Sequence, residues 1–156
     1  MKLAELEAAL LDALRTTPAL SYLRTIEPVS ERSFDFARGD FVVVPPAVLS
    51  FFLAGALRAR DLSARTYDYN PRFLLFALAR NLRGVAEEKL GGPVAGETGV
   101  YQLLDDLKAA LAGRRLALPT AGFEPQVELA AESLEAFTPE FSVYSLEILI
   151  RGTFHV

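Results

Sequence analysis

The residues of this chain that could do chemistry are few and scattered. Two tight carboxylate pairs, Glu87-Glu88 and Asp105-Asp106, come nearest to an acid/base or cation site. Neighbouring residues on a helix point about 100° apart, so neither pair converges on one point without partners, and none stands at a suitable spacing. Both pairs therefore read as solvated surface. The single histidine, His155, is next to last. With no second histidine and no cysteine, a zinc site lacks its usual ligands, and disulfides and thiol nucleophiles are excluded. Counting alone leaves a Ser-His-acid arrangement open, but no Gly-x-Ser-x-Gly elbow is present. His155 reads as an exposed strand-end residue.

Three other stretches carry a functional signal that their surroundings weaken. Gly91-Gly92-Pro93-Val94-Ala95-Gly96-Glu97-Thr98-Gly99 is a glycine-rich loop before a helix, a position that can cradle phosphate. It lacks the Lys-Ser or Lys-Thr exit of a phosphate loop, and Glu97 puts negative charge where the phosphate would sit. Arg38-Gly39-Asp40 reads as a turn rather than an adhesion signal. Arg58, Arg60 and Arg65 surround Asp61 and read as a solvated loop, with an acidic partner as the sharper alternative. No interleaving of aromatic and basic residues suggests a base-stacking platform.

The elements that would position these residues follow from periodicity. Leu3, Leu6, Leu10 and Leu14 form one stripe of an N-terminal amphipathic helix, which Thr16-Thr17-Pro18 should stop. Residues 22–27 alternate as a short strand ending at Pro28. Phe34 and Phe36 alternate with polar neighbours in an edge strand or ordered loop. Residues 41–44 and 47–53 are apolar runs around Pro45-Pro46, read as consecutive strands or one broken strand. Val100, Leu103, Leu104, Leu107 and Leu111 make the buried stripe of the clearest helix, opposite Tyr101, Asp105 and Lys108, with Gly113 as its stop. The partial alternation of residues 123–137 and the strong alternation of 140–156 predict an antiparallel C-terminal hairpin.

Local rules conflict in residues 70–84. Asn70 could cap a helix, Pro71 begin it and Gly84 close it. The run from Phe73 to Ala79, however, is apolar throughout, as in a strand buried on both faces. Periodicity leaves both readings open.

The 156 residues suit one domain, 1–156, with a single core, and 51% hydrophobic with 23% charged residues is a folding composition. The net charge of −4, from 16 basic and 20 acidic residues, disfavours nucleic acid and anionic membrane surfaces. Residues 41–57 are uncharged and approach the ~18 apolar residues that begin to suggest a membrane span, but Pro45-Pro46 would break such a helix. Acidic residues near the N-terminus argue against an export signal. The chain shows no internal repeat, low-complexity tract or linker.

At Ala79-Arg80-Asn81-Leu82-Arg83-Gly84, Gly99-Val100-Tyr101-Gln102-Leu103-Leu104-Asp105-Asp106-Leu107 and Leu111-Ala112-Gly113, the chain resembles the Mu-like phage and prophage tail-terminator, or tail-completion, proteins. The order of parts agrees over most of its length. The resemblance implies an α+β fold: a mostly antiparallel sheet with a long C-terminal hairpin, packed by the N-terminal helix and a helix at about 99–112. It makes residues 71–82 a central strand. It implies an assembly protein without catalysis, cofactor or metal. Copies would close into a ring, six in related terminators, that caps the tail tube, stops its polymerisation and provides the head-joining surface. The expected partners are other copies, the tail tube protein, and the sheath and head connector proteins, in the virion tail and, during assembly, the host cytoplasm. A head-tail connector of related fold is one alternative, and a small-ligand-binding or hydrolytic α+β domain another. Residues 84–99 would form a mobile loop facing a neighbour. Arg80, Asn81, Arg83, Glu87, Glu88 and Tyr101 flank or occupy it and are the interface candidates.

Overall fold

A computed structural model describes residues 2–35, 37–63, 65–80, 98–119, 124–137 and 141–155. The first helix, α1 (Leu3–Arg15), buries Leu6, Leu10, Leu11 and Leu14. It stops as expected: the Thr16 and Thr17 hydroxyls donate to the carbonyls of Asp12 and Ala13 at 2.8 and 2.7 Å, satisfying acceptors that the ended helix leaves open. A 3₁₀ turn (Pro18–Leu20) leads to β1 (Thr25–Pro28). Then come the two-residue strands β2 (Phe34–Asp35) and β3 (Asp40–Phe41), joined through the left-handed Gly39 at φ 66°. Four long elements and one helix follow: β4 (Ala47–Ala59), β5 (Thr66–Arg80), α2 (Val100–Leu111), β6 (Gln126–Phe137) and β7 (Phe141–His155).

The main sheet has the order β1-β4-β5-β7-β6. Only β1 runs parallel to its neighbour; the other pairs are antiparallel. The fold is therefore α+β with the expected C-terminal hairpin. The conflict resolves as a strand over residues 70–80, while residues 81–84 lie outside the described residues, and β5 lies in the middle of the sheet. It begins at Thr66, earlier than the apolar run suggests. Pro71 is accommodated because the β5–β7 ladder is interrupted at Asn70 and Pro71, where the imide has no N–H to give.

The two helices among the described residues cover one face of the sheet. Leu6, Leu10 and Leu14 of α1 and Leu103, Leu107 and Leu111 of α2 pack against Val48, Phe73, Leu75, Ala77, Val127, Leu146, Ile148 and Ile150. Every residue of the predicted α2 stripe is buried, and Gly113 ends the helix at φ 69°. On the far face, a smaller cluster of Ala47, Leu49, Leu78, Phe141 and Val143 is covered by Val29, Phe41 and Val43. The β2–β3 turn builds this cover, with Phe34 edge-on to Phe41 at 4.9 Å.

Three expectations need correction. Residues 41–44 are not a strand: β3 ends at Phe41, and Val42 and Val44 are 61% and 56% exposed. Pro45 and Pro46 offer no donors with which to continue a ladder. The strand after them, in turn, runs past Leu53 to Ala59, because the antiparallel register with β5 continues to Ala59 opposite Tyr67. The first strand also starts at Thr25 rather than Tyr22.

Candidate assembly surface

Among the described residues, Asp105, Asp106, Arg60 and Asp61 are engaged in structural contacts, whereas Glu87 and Glu88 lie outside the described residues. Asp105 and Asp106 diverge as helix geometry requires. Asp105 Oδ1 lies 2.8 Å from Lys108 Nζ. Asp106 accepts the Tyr22 hydroxyl at 2.7 Å and the Gln102 amide at 2.7 Å. Burial, then the hydrogen bond to Asp106 and its charge, push the Tyr22 phenol well above its ordinary range. Lys108 also reaches Glu132 of β6 at 3.1 Å, and its hydrogen bonds to Asp105 and Glu132 raise its pKa. At the β4–β5 tip, Arg60 pairs with Asp68 at 3.0 Å. Asp61 accepts the Ser63 hydroxyl at 2.7 Å, the main cause of its lowered pKa.

An open groove lies between α2 and the C-terminal hairpin, lined by Tyr101, Leu104, Asp105, Lys108, Glu132, Leu134 and other neighbours. Its charged walls are already bridged by Lys108, and Tyr101 stands edge-on to Tyr144 at 5.9 Å. Among the described residues, no group of three or more His, Asp or Glu could hold a metal. No helix among the described residues is long and apolar enough to cross a membrane.

One polar cluster was invisible in the sequence. The Ser145 hydroxyl is buried and hydrogen-bonds to Glu135 and Ser133 across the β6–β7 hairpin. Only the register, shifted between Leu134 and Ala136, brings these residues together. His155 lies ten positions along β7 from Ser145, about 33 Å at strand rise, so these groups do not form a Ser-His-acid triad. Its backbone pairs in register with Thr66.

Of the interface candidates, Arg80 is exposed at the end of β5, opposite Phe141 in the ladder. Tyr101 is 41% exposed on the first turn of α2. Strand alternation puts Arg80 on the far face with Leu78, whereas Tyr101 stands over the helix face; the two do not form one cluster. Asn81, Arg83, Glu87 and Glu88, and the glycine-rich loop up to Glu97, lie outside the described residues.

The feature that sequence reasoning missed is the arm formed by the second halves of β4 and β7 with the first half of β5. Residues 53–60 are all exposed, and Phe51, Leu53 and Leu57 are 45%, 42% and 57% exposed. Tyr69 covers Gly55, where an added Cβ would lie 2.7 Å from the ring, and meets Phe154 at 6.2 Å. The available signal was the polar turn 60–65 between two β-compatible runs.

Residues 2–150 match the protein family described as Bacteriophage Mu, Gp37. Among solved structures, a chain of the virion of a native gene transfer agent particle is similar in fold, with a TM-score of 0.56 at 11% identity over 94% of this chain and 92% of that one. No curated protein matches.

Proposed function

The chain belongs to the Bacteriophage Mu Gp37 family, and from that premise we propose that it is a phage virion assembly protein that closes into a ring at the end of the tail tube. In this reading the ring stops tube polymerisation and presents the surface that receives the head connector. Family membership over residues 2–150 carries the proposal. The fold shared with a chain of a gene transfer agent virion is compatible with it. A role without catalysis accords with the carboxylates, of which Asp105 and Asp106 are held by Lys108 and by Tyr22 and Gln102.

The protein acts as one domain, in a ring of six copies, with the tail tube protein as its principal partner and the sheath and head connector as further contacts. Arg80 and Tyr101, with Asn81, Arg83, Glu87 and Glu88 between them, supply contacts at the ring surface. Its site of action is the virion tail, after assembly in the host cytoplasm. Electron microscopy of particles made without the protein tests the reading. Overlong tubes are expected. Tubes of normal length beside detached heads would replace termination by a connector role.

A further inference from the structure

The strand order leaves the sheet two long outer edges among the described residues. On β4, β1 covers only positions 47–50, and Val29 N donates to Ser50 O at 2.8 Å just beyond them. Among the described residues, no strand pairs with residues 51–59 on that side. Arg60 N donates to Thr66 O at 2.9 Å, so residues 56 and 58 bond inward to β5. Gly55, Leu57 and Ala59 direct their backbone N–H and C=O groups outward. At the other end of the sheet, Val127 N donates to Arg114 O at 2.8 Å and Leu116 N to Pro125 O at 2.9 Å. These bonds close the start of β6 and leave residues 129–137 open.

The two edges differ in how they are protected. Exposed edges are ordinarily blunted by charge, proline or bulges, because an open apolar edge templates pairing with another chain. β6 follows that rule with Glu128, Glu132, Glu135 and two register shifts. The open part of β4, Phe51-Phe52-Leu53-Ala54-Gly55-Ala56-Leu57-Arg58-Ala59, has one bulge at Leu53, one Arg, no acid and no proline.

We propose that the outer edge of β4 is an assembly surface and that its occupant is the open edge of β6 from a second copy of this chain. Charge favours this pairing: the open β4 run carries Arg58 and no acid, whereas β6 carries only acids, of which Glu128 and Glu132 also meet Arg151 and Lys108 within the chain. Direction favours it too. Three successive antiparallel pairings make β6 antiparallel to β4 within one sheet, so repeating the sheet in one sense sets β4 of the next copy antiparallel to β6. A contact between two different edges is heterologous, and one whose rotation about an axis closes gives a ring. The inference rests on the ring reading and supplies the contact that joins its copies.

Because the chain contains no cysteine, disulfide trapping on the full-length protein is a clean test. A Leu57→Cys preparation is mixed under oxidation, with tube protein present, with Leu129→Cys, Glu132→Cys or Leu134→Cys preparations in turn, positions that the β6 register puts on the same sheet face as Leu57. The proposal expects a mixed disulfide with at least one of them. On the other face, Ala56→Cys or Arg58→Cys should link to Ala131→Cys or Ser133→Cys, and that link should disappear when Leu57→Pro, which removes one outward N–H, is added, while circular dichroism stays that of the folded chain. Leu57→Cys linking chiefly to itself would mean two-fold β4–β4 pairing and overturn the proposal. Rings that form with no β4–β6 link would overturn it and leave the ring reading standing. A chain that stays monomeric with and without tube protein would remove both.

Discussion

The strands β4, β5 and β7 have different lives at their two ends. At one end Ala47, Val48 and Leu49 face Leu78, Ala77 and Phe76 in the ladder, and both faces are covered: by α1 and α2 on one side, by the β2–β3 turn on the other. At the other end the same strands run on as an arm with no helix over them among the described residues. The arm is held by contacts across the ladder: Tyr69 over Gly55, Tyr69 against Phe154, and Arg60 on Asp68. The difference teaches that ladder pairing sets strand length in this molecule, whereas helix cover decides which half holds most of the folding free energy. The arm is left available for contact with other chains.

The largest effect that can break this contrast comes from matched truncations. Leu107 is fully buried between α2 and the sheet. Leu107→Ala should cost ~2–5 kcal/mol through lost burial and a residual cavity. Leu57 is 57% exposed, and Leu57→Ala should stay within about 0.5 kcal/mol. Chemical denaturation of the two variants measures both. Equal losses would mean that the arm belongs to the cooperative core.

The same contrast explains what the sequence disclosed. The α1 and α2 stripes were legible because three- and four-residue spacing of leucines survives any tertiary context that buries one helix face. Residues 70–84 were ambiguous because a strand covered on both faces needs no alternation; Asn70 and Pro71 offered good local helix signals that pairing with both β4 and β7 overrode. The arm was missed because Ala54-Gly55-Ala56 has little β propensity of its own and becomes a strand only opposite Asn70, Pro71 and Arg72. Apolar content misled at Val42 and Val44, where adjacent prolines outweigh it. Arg80 and Tyr101 could be named from their place beside the loop, but their separation onto opposite faces follows from strand parity that only the register supplies.

A smaller, pH-dependent effect sharpens the comparison on the helix side. Tyr22 donates to Asp106 at 2.7 Å, and its folded pKa is raised above the ordinary 10.0 by burial and by that carboxylate. A raised folded pKa means that the stabilisation is full below pH 10 and is lost as pH rises from 10 through the folded value. Tyr22→Phe should cost about 1 kcal/mol at pH 7 and lose stability less steeply than the parent above pH 10. Some slope remains, because Lys108 is also raised, from 10.5. Urea midpoints at pH 7, 10 and 11 give the readout. Parallel curves for the two proteins would show that the Tyr22–Asp106 bond does not distinguish folded from unfolded chain.

The smallest effect belongs to the arm. Arg60 and Asp68 are 55% and 43% exposed at their side chains, so solvent and salt screen the pair and two flexible side chains must be ordered to make it. Asp68→Asn should change stability by no more than about 0.5 kcal/mol, and the difference should vanish at 1 M salt. A loss well above 1 kcal/mol that persisted in salt would mean that the tip is anchored as the core is. If the small value holds, the arm's charges contribute little to the fold that carries them. An arm with exposed leucines and little stake in the fold is then best explained by what another chain places beside it.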